Sequence, residues 1–88
     1  MFRIEWLQSA LDELATQWTL AASTERQAIT AASHAMERKL AEDPVHEGES
    51  RFRGRRITFA PPLAVTFRIQ PDAQTVTVLQ VRVFRRRK

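Results

Sequence analysis

Arginine is the commonest side chain here that could do chemistry, and nine of the twelve crowd one end of the sequence. Of the 14 basic residues, ten follow position 50: Arg51, Arg53, Arg55, Arg56, Arg68, Arg82, Arg85, Arg86, Arg87 and Lys88. Asp72 is the only acid among them, so residues 51–88 carry a net charge of +9 while residues 1–50 carry −5. A guanidinium presents a planar fork of donors that fits paired oxygens of phosphate or carboxylate. A surface built from the second half therefore suits an anionic partner. Groups able to move a proton are fewer. Glu47 and Glu49 lie just upstream of the arginines, and His34 and His46 stand without an evident titratable partner to orient them. With no cysteine there is no thiolate nucleophile or disulfide framework, and a reducing cytoplasm fits. Two glycines, Gly48 and Gly54, make no phosphate-binding loop, and no metal-ligand constellation or cofactor motif is present.

The elements that must position these groups are legible from periodicity. Phe2, Ile4 and Trp6 alternate with Arg3 and Glu5, the period of a half-buried strand. Ser9 and Asp12 approximate a capping box ahead of Leu11, Leu14, Ala15 and Trp18, predicting a helix over about Ala10 to Leu20. Thr24 and Gln27 repeat the pattern ahead of Ile29, Ala32, Met36 and Leu40, predicting a second helix over about Glu25 to Ala41, stopped before Pro44. Only a few residues separate the two, so an antiparallel hairpin is expected. From Arg51 onward β-branched and aromatic residues alternate with polar ones. Ile57 and Phe59, then Val65, Phe67 and Ile69, then residues 75–84 read as strands, the last apolar enough to be interior to a sheet. If residues 51–55 are extended, Arg51, Arg53 and Arg55 share one sheet face and Arg56 the other. The expectation is one α+β domain over residues 1–88: a strand, a helical hairpin, then three or four antiparallel strands, with both helices on one face of the sheet. Trp6 and Trp18 fall in apolar patterns and read as core, whereas Phe52 sits among arginines, where stacking on a base or partner is the minority reading. Neither a secretory leader nor a membrane span is evident.

That order of elements carries local strings that resemble the RelE/ParE superfamily of bacterial type II toxins. They are Ile4-Glu5-Trp6 leading to Ala10-Leu11-Asp12-Glu13-Leu14, Leu40 to Pro44, Gly54-Arg55-Arg56-Ile57, Val65-Thr66-Phe67-Arg68-Ile69 and Val76 to Val83. The resemblance implies a cytoplasmic toxin silenced by a partner antitoxin. It also implies one of two targets, the ribosome, where RelE-like members cut messenger RNA, or DNA gyrase, which ParE-like members inhibit by binding; the third alternative is a catalytically decayed toxin that only binds its antitoxin.

Cutting RNA through its own 2′-hydroxyl needs a base, cations to hold the developing charge, and a proton donor for the leaving oxygen. On the family pattern Arg56 matches a basic position of the Arg-Arg-Ile string, and Arg85 or Arg86 the basic residue after the last strand. Glu49 or Glu47 is the candidate base, although pairing with nearby arginines is the plainer reading for both. Arg51, Arg53, Arg55, Arg68, Arg82 and Arg86 are candidate nucleic-acid or partner contacts. Two departures count against catalysis: Ala64 stands where many ribonuclease members place an arginine, and there is no tyrosine to end on. The terminal arginine run reads equally well as a phosphate-binding tail or as a solubilising end.

Overall fold

A computed structural model describes residues 1–84. β1 (Arg3–Trp6) leads into α1 (Gln8–Leu20) and α2 (Ser23–Glu42), and four strands follow: β2 (Glu49–Ser50), β3 (Arg55–Ala60), β4 (Leu63–Gln70) and β5 (Thr75–Val83). They form a single five-stranded sheet in the order β1-β5-β4-β3-β2. β1 runs parallel to β5 and every other pairing is antiparallel. The expected α+β architecture, two helices on one face of a mainly antiparallel sheet, is what forms.

Both helices begin two residues before the sequence expectation, because neither cap is the one the pattern suggested. Leu7 precedes α1 with no side-chain cap; its N–H instead extends the β1 ladder by donating to the Val78 carbonyl at 3.0 Å. Ala22 precedes α2, and the Glu25 carboxylate folds back to accept from the Ala22 N–H at 3.3 Å. That is the second half of a capping box without its first half. Thr24 and Ser9 lie inside their helices.

The core lies between α2 and the sheet. Ile29, Ala32, Met36 and Leu40 from α2 meet Leu63, Val65, Phe67, Val76, Val78 and Val81, all essentially buried. The period of two in β4 and β5 survives one irregularity: between Thr66 and Phe67 the partner in β5 jumps from Gln80 to Val78, leaving Leu79 as an extra residue. This bulge keeps both Val78 and Val81 facing the helices. α1 is less buried than its pattern implies. Ala10 enters the core and Leu14 is half-buried, but Leu11 and Trp18 are each 41% exposed. Trp18 is thus not a core residue; its indole N–H donates to Thr30 Oγ1 at 3.1 Å and the Arg26 guanidinium lies 4.6 Å from its ring centre. Trp6 does pack against the core, with its indole N–H donating to Glu37 at 2.7 Å. No helix among the described residues is long and apolar enough to cross a membrane.

Candidate anion-binding face

Strand register sorts the arginines. In β4, Leu63, Val65 and Phe67 face the helices, so Ala64, Thr66 and Arg68 face the opposite way. Arg55 of β3 pairs directly with Arg68, and Arg82 of β5 with Ala64. Arg55, Arg68 and Arg82 therefore share the sheet face that carries none of the core side chains. Apart from one another their directly paired neighbours on it are uncharged: Arg82 pairs with Ala64 and Arg68 with Thr77, while Glu5 of β1, beyond Thr77 on the same face, is held by Arg3 at 3.3 Å. Among the described residues, none of the three guanidiniums has a hydrogen bond or ion pair. The Arg55–Arg68 pair is the telling one. Directly opposed residues in antiparallel strands hold their Cβ atoms about 4.5–5.5 Å apart, where like charges repel and destabilise the sheet. An anion between the two would remove that repulsion.

A cleft of about 340 Å³ opens where the start of α1 meets β5. Arg55, Arg82, Thr66 and Gln80 line it from the sheet, and Ser9 and Glu13 from α1. Glu13 is the only acidic residue on those walls, and its carboxylate accepts from Gln17 Nε2 at 3.2 Å. Glu13 was invisible as a site residue in the sequence. It belongs to an ordinary helical stretch, and only the pairing of β1 with β5 brings α1 beside the arginines.

The remaining candidates are placed differently from the sequence expectation. Residues 51–55 are not extended: Phe52, Arg53 and Gly54 form the tight turn joining β2 to β3, with Arg53 at φ 63° and Gly54 at φ 74°. Arg51, Arg53 and Arg55 consequently do not form a row on one face. Arg51 instead pairs with Glu49 across 3.1 Å, so the carboxylate considered as a base is beside an arginine. Arg56 does point to the other face, as its parity requires, and each of its three guanidinium nitrogens makes a hydrogen bond there. Nε donates to the Glu47 carbonyl at 3.0 Å, Nη1 to Ser50 Oγ at 3.0 Å and Nη2 to the Gly48 carbonyl at 3.1 Å. Glu47 accepts from Thr58 Oγ1 at 3.4 Å. His46 does have an orienting acid, contrary to expectation: Asp43, one helical turn earlier, lies 2.9 Å from Nδ1 at an exposed site away from the arginine face. Arg85 and Arg86 lie outside the described residues. No group of His, Asp and Glu among the described residues is placed to hold a metal ion.

The sequence matches no protein-family model and no curated protein. Solved structures do match. A chain of the toxin–antitoxin complex RelBE2 from Mycobacterium tuberculosis superimposes with a TM-score of 0.77 at 17% identity, covering 94% of this chain and 91% of the other. A chain of the chromosomal ParDE toxin–antitoxin system from P. aeruginosa gives 0.74 at 15% identity, covering 97% and 98%. This chain has the RelE/ParE toxin fold. The isolated E. coli RelE toxin gives 0.64 at 15% identity over 100% of this chain and 89% of that one. On this fold Arg55, Arg68 and Arg82 lie on the sheet face opposite the core, bordered at one end by the start of α1, and Arg56 holds the loop between α2 and β3.

Proposed function

We propose that this chain is the toxin of a type II toxin–antitoxin pair, acting in the cytoplasm by binding RNA on the ribosome through the sheet face opposite its core. The observation that carries this reading is the unneutralised set Arg55, Arg68 and Arg82, two of them directly opposed, beside a cleft. Binding charge of this kind is sequence-independent and positions a phosphate chain. Should the toxin also cut message, the arginines would hold the developing charge on phosphorus. Glu13 is then a better-placed proton acceptor than Glu49, because it lines the cleft while Glu49 is bound to Arg51. The cognate antitoxin is the natural counter-charge for the same face. No cofactor or metal enters this scheme.

The test is RNA affinity measured across a salt series, for the wild type and for the triple variant R55A/R68A/R82A. Each lost phosphate contact on a single strand lowers the slope of log affinity against log salt by about 0.7, so three contacts lower it by about 2. A triple variant with the wild-type slope would remove these residues from the interface. Mapping messenger RNA ends after adding the protein to translating ribosomes decides whether cleavage accompanies binding.

A second reading is a non-enzymatic toxin directed at DNA gyrase, and one observation favours it: the sequence holds no tyrosine to serve as the proton donor of RelE-like ribonucleases. Purified gyrase that supercoils DNA undiminished in the presence of this protein would exclude that target.

A further inference from the structure

The turn between β2 and β3 contains a residue ill-suited to making it. Arg53 adopts φ 63° and ψ 37°, the left-handed region, and Gly54 follows at φ 74°. Turns with positive φ at such positions are made by Asn, Asp or Gly, whose short side chains tolerate or support that backbone. A long side chain with a full Cβ is disfavoured there. The position is therefore not occupied for the sake of the turn, and residues held in such conformations cluster where a site needs them.

What the turn does is display an aromatic ring. Phe52 is 81% exposed, and the Arg53 guanidinium stands 5.4 Å from its ring centre. Among the described residues Arg53 has no hydrogen bond or ion pair; its contact is the ring. The turn is itself firmly closed, since the Arg55 N–H donates to the Phe52 carbonyl and the Arg51 N–H to the Arg55 carbonyl. An exposed aromatic face flanked by cations, at the end of the strand that carries Arg55, matches one ligand chemistry. That chemistry is an unpaired nucleobase with its phosphate: the base stacks on the ring and the guanidinium takes the phosphate oxygens.

We propose that the Phe52-Arg53 turn is a stacking platform for an unpaired base of single-stranded nucleic acid, continuing the path of a strand bound on the Arg55–Arg68 face. This rests on the RNA-binding reading above and adds to it a preference for single strands over duplex, whose bases are already stacked on one another. It predicts a separation of effects that phosphate contacts alone do not produce.

The experiment titrates a short single-stranded RNA carrying 2-aminopurine, and a duplex of the same length, against wild type, F52A, F52W and R53N. At 81% exposure Phe52 contributes nothing to the core, so F52A folds. F52A is expected to bind the single strand roughly tenfold more weakly with duplex affinity unchanged. The fluorescence quenching that reports stacking should be lost in F52A and kept in F52W. R53N should bind the single strand more weakly yet melt a few degrees higher, because asparagine tolerates the left-handed backbone. If wild type binds RNA and F52A binds both ligands as wild type does, or loses both equally, the platform is overturned while the arginine face stands. If wild type binds no RNA, both readings fall. Binding of an acidic peptide at this turn with no RNA affinity would equally overturn it.

Discussion

Replacing Arg56 with alanine should unfold the protein more easily without weakening its grip on an anion, although the sequence resemblance suggested Arg56 as a site residue. The guanidinium makes three hydrogen bonds, at 3.0, 3.0 and 3.1 Å, to the Glu47 carbonyl, Ser50 Oγ and the Gly48 carbonyl. Together they tie the segment after α2 to β3. Hydrogen bonds to charged groups contribute about 1.5–3 kcal/mol each when buried. Arg56 is only half-buried and water can re-bond the freed carbonyls, so the net loss for all three is about 2 kcal/mol. For a domain of this size that lowers the melting temperature by about 8–16 °C. Thermal melts followed by circular dichroism, with RNA titrations at several salt concentrations below the melt, separate the two roles. R56A should melt early and keep the wild-type salt slope. R55A, which relieves its repulsion with Arg68, should melt no earlier than the wild type and lose about 0.7 from the slope. An R56A variant that melts with wild type and shows the reduced slope would refute this division, and would return Arg56 to the contact set.

Arg68→Thr removes one of two directly opposed guanidiniums and leaves a good strand residue, so it should raise the urea midpoint by the equivalent of about 0.5 kcal/mol while weakening RNA binding. Gly48→Ala should destabilise by about 2–4 kcal/mol, because Gly48 sits at φ 69° and an added Cβ would overlap the Ile57 carbonyl oxygen. Gly54→Ala is the control for that variant: its φ is 74° but nothing lies within 4 Å, so urea unfolding should show only the left-handed cost of about 1 kcal/mol.

The elements with strong periodicity were readable and the short, irregular ones were not. Ile29, Ala32, Met36 and Leu40 mark the buried face of α2 at intervals of three and four, and all four are buried. Val65, Phe67 and Ile69 mark β4 in the same way, and β5 is flanked by strands on both sides as its apolar run implied. Helix starts were misplaced because Ser9 and Thr24 look like caps, while the real starts depend on a strand hydrogen bond at Leu7 and on Glu25 reaching Ala22. β2 is two residues long, too short for any period to show. Missing it had a large consequence for the site. Reading residues 51–55 as extended placed three arginines in a row, whereas the turn at Phe52-Arg53-Gly54 leaves only Arg55 of the three on the sheet face. Glu13 entered the cleft through a parallel β1–β5 pairing that no local pattern announces.

The charge division of the chain becomes a charge division of the molecule by what the acids are used for. Nine of the ten acidic residues precede position 50, and several are engaged away from the arginine face. Glu37 accepts from Trp6, Glu25 caps α2, Asp43 meets His46 and Glu47 meets Thr58. Glu49 reaches an arginine of the second half, but that arginine is Arg51 at the turn rather than one on the face. On the face itself, every cross-strand neighbour that could have neutralised Arg55, Arg68 or Arg82 is Ala, Thr or another arginine. One acidic residue at position 66, two residues from Arg68 and diagonal to Arg55 and Arg82, would neutralise them at little cost to a strand, and would cancel the field that draws an anion in. Thr66→Glu is therefore the sharpest single test of whether the repulsion on this face serves binding. It should stabilise the folded protein slightly and abolish most of its affinity for RNA, and a variant that gained stability while keeping full affinity would show that the anion is held elsewhere.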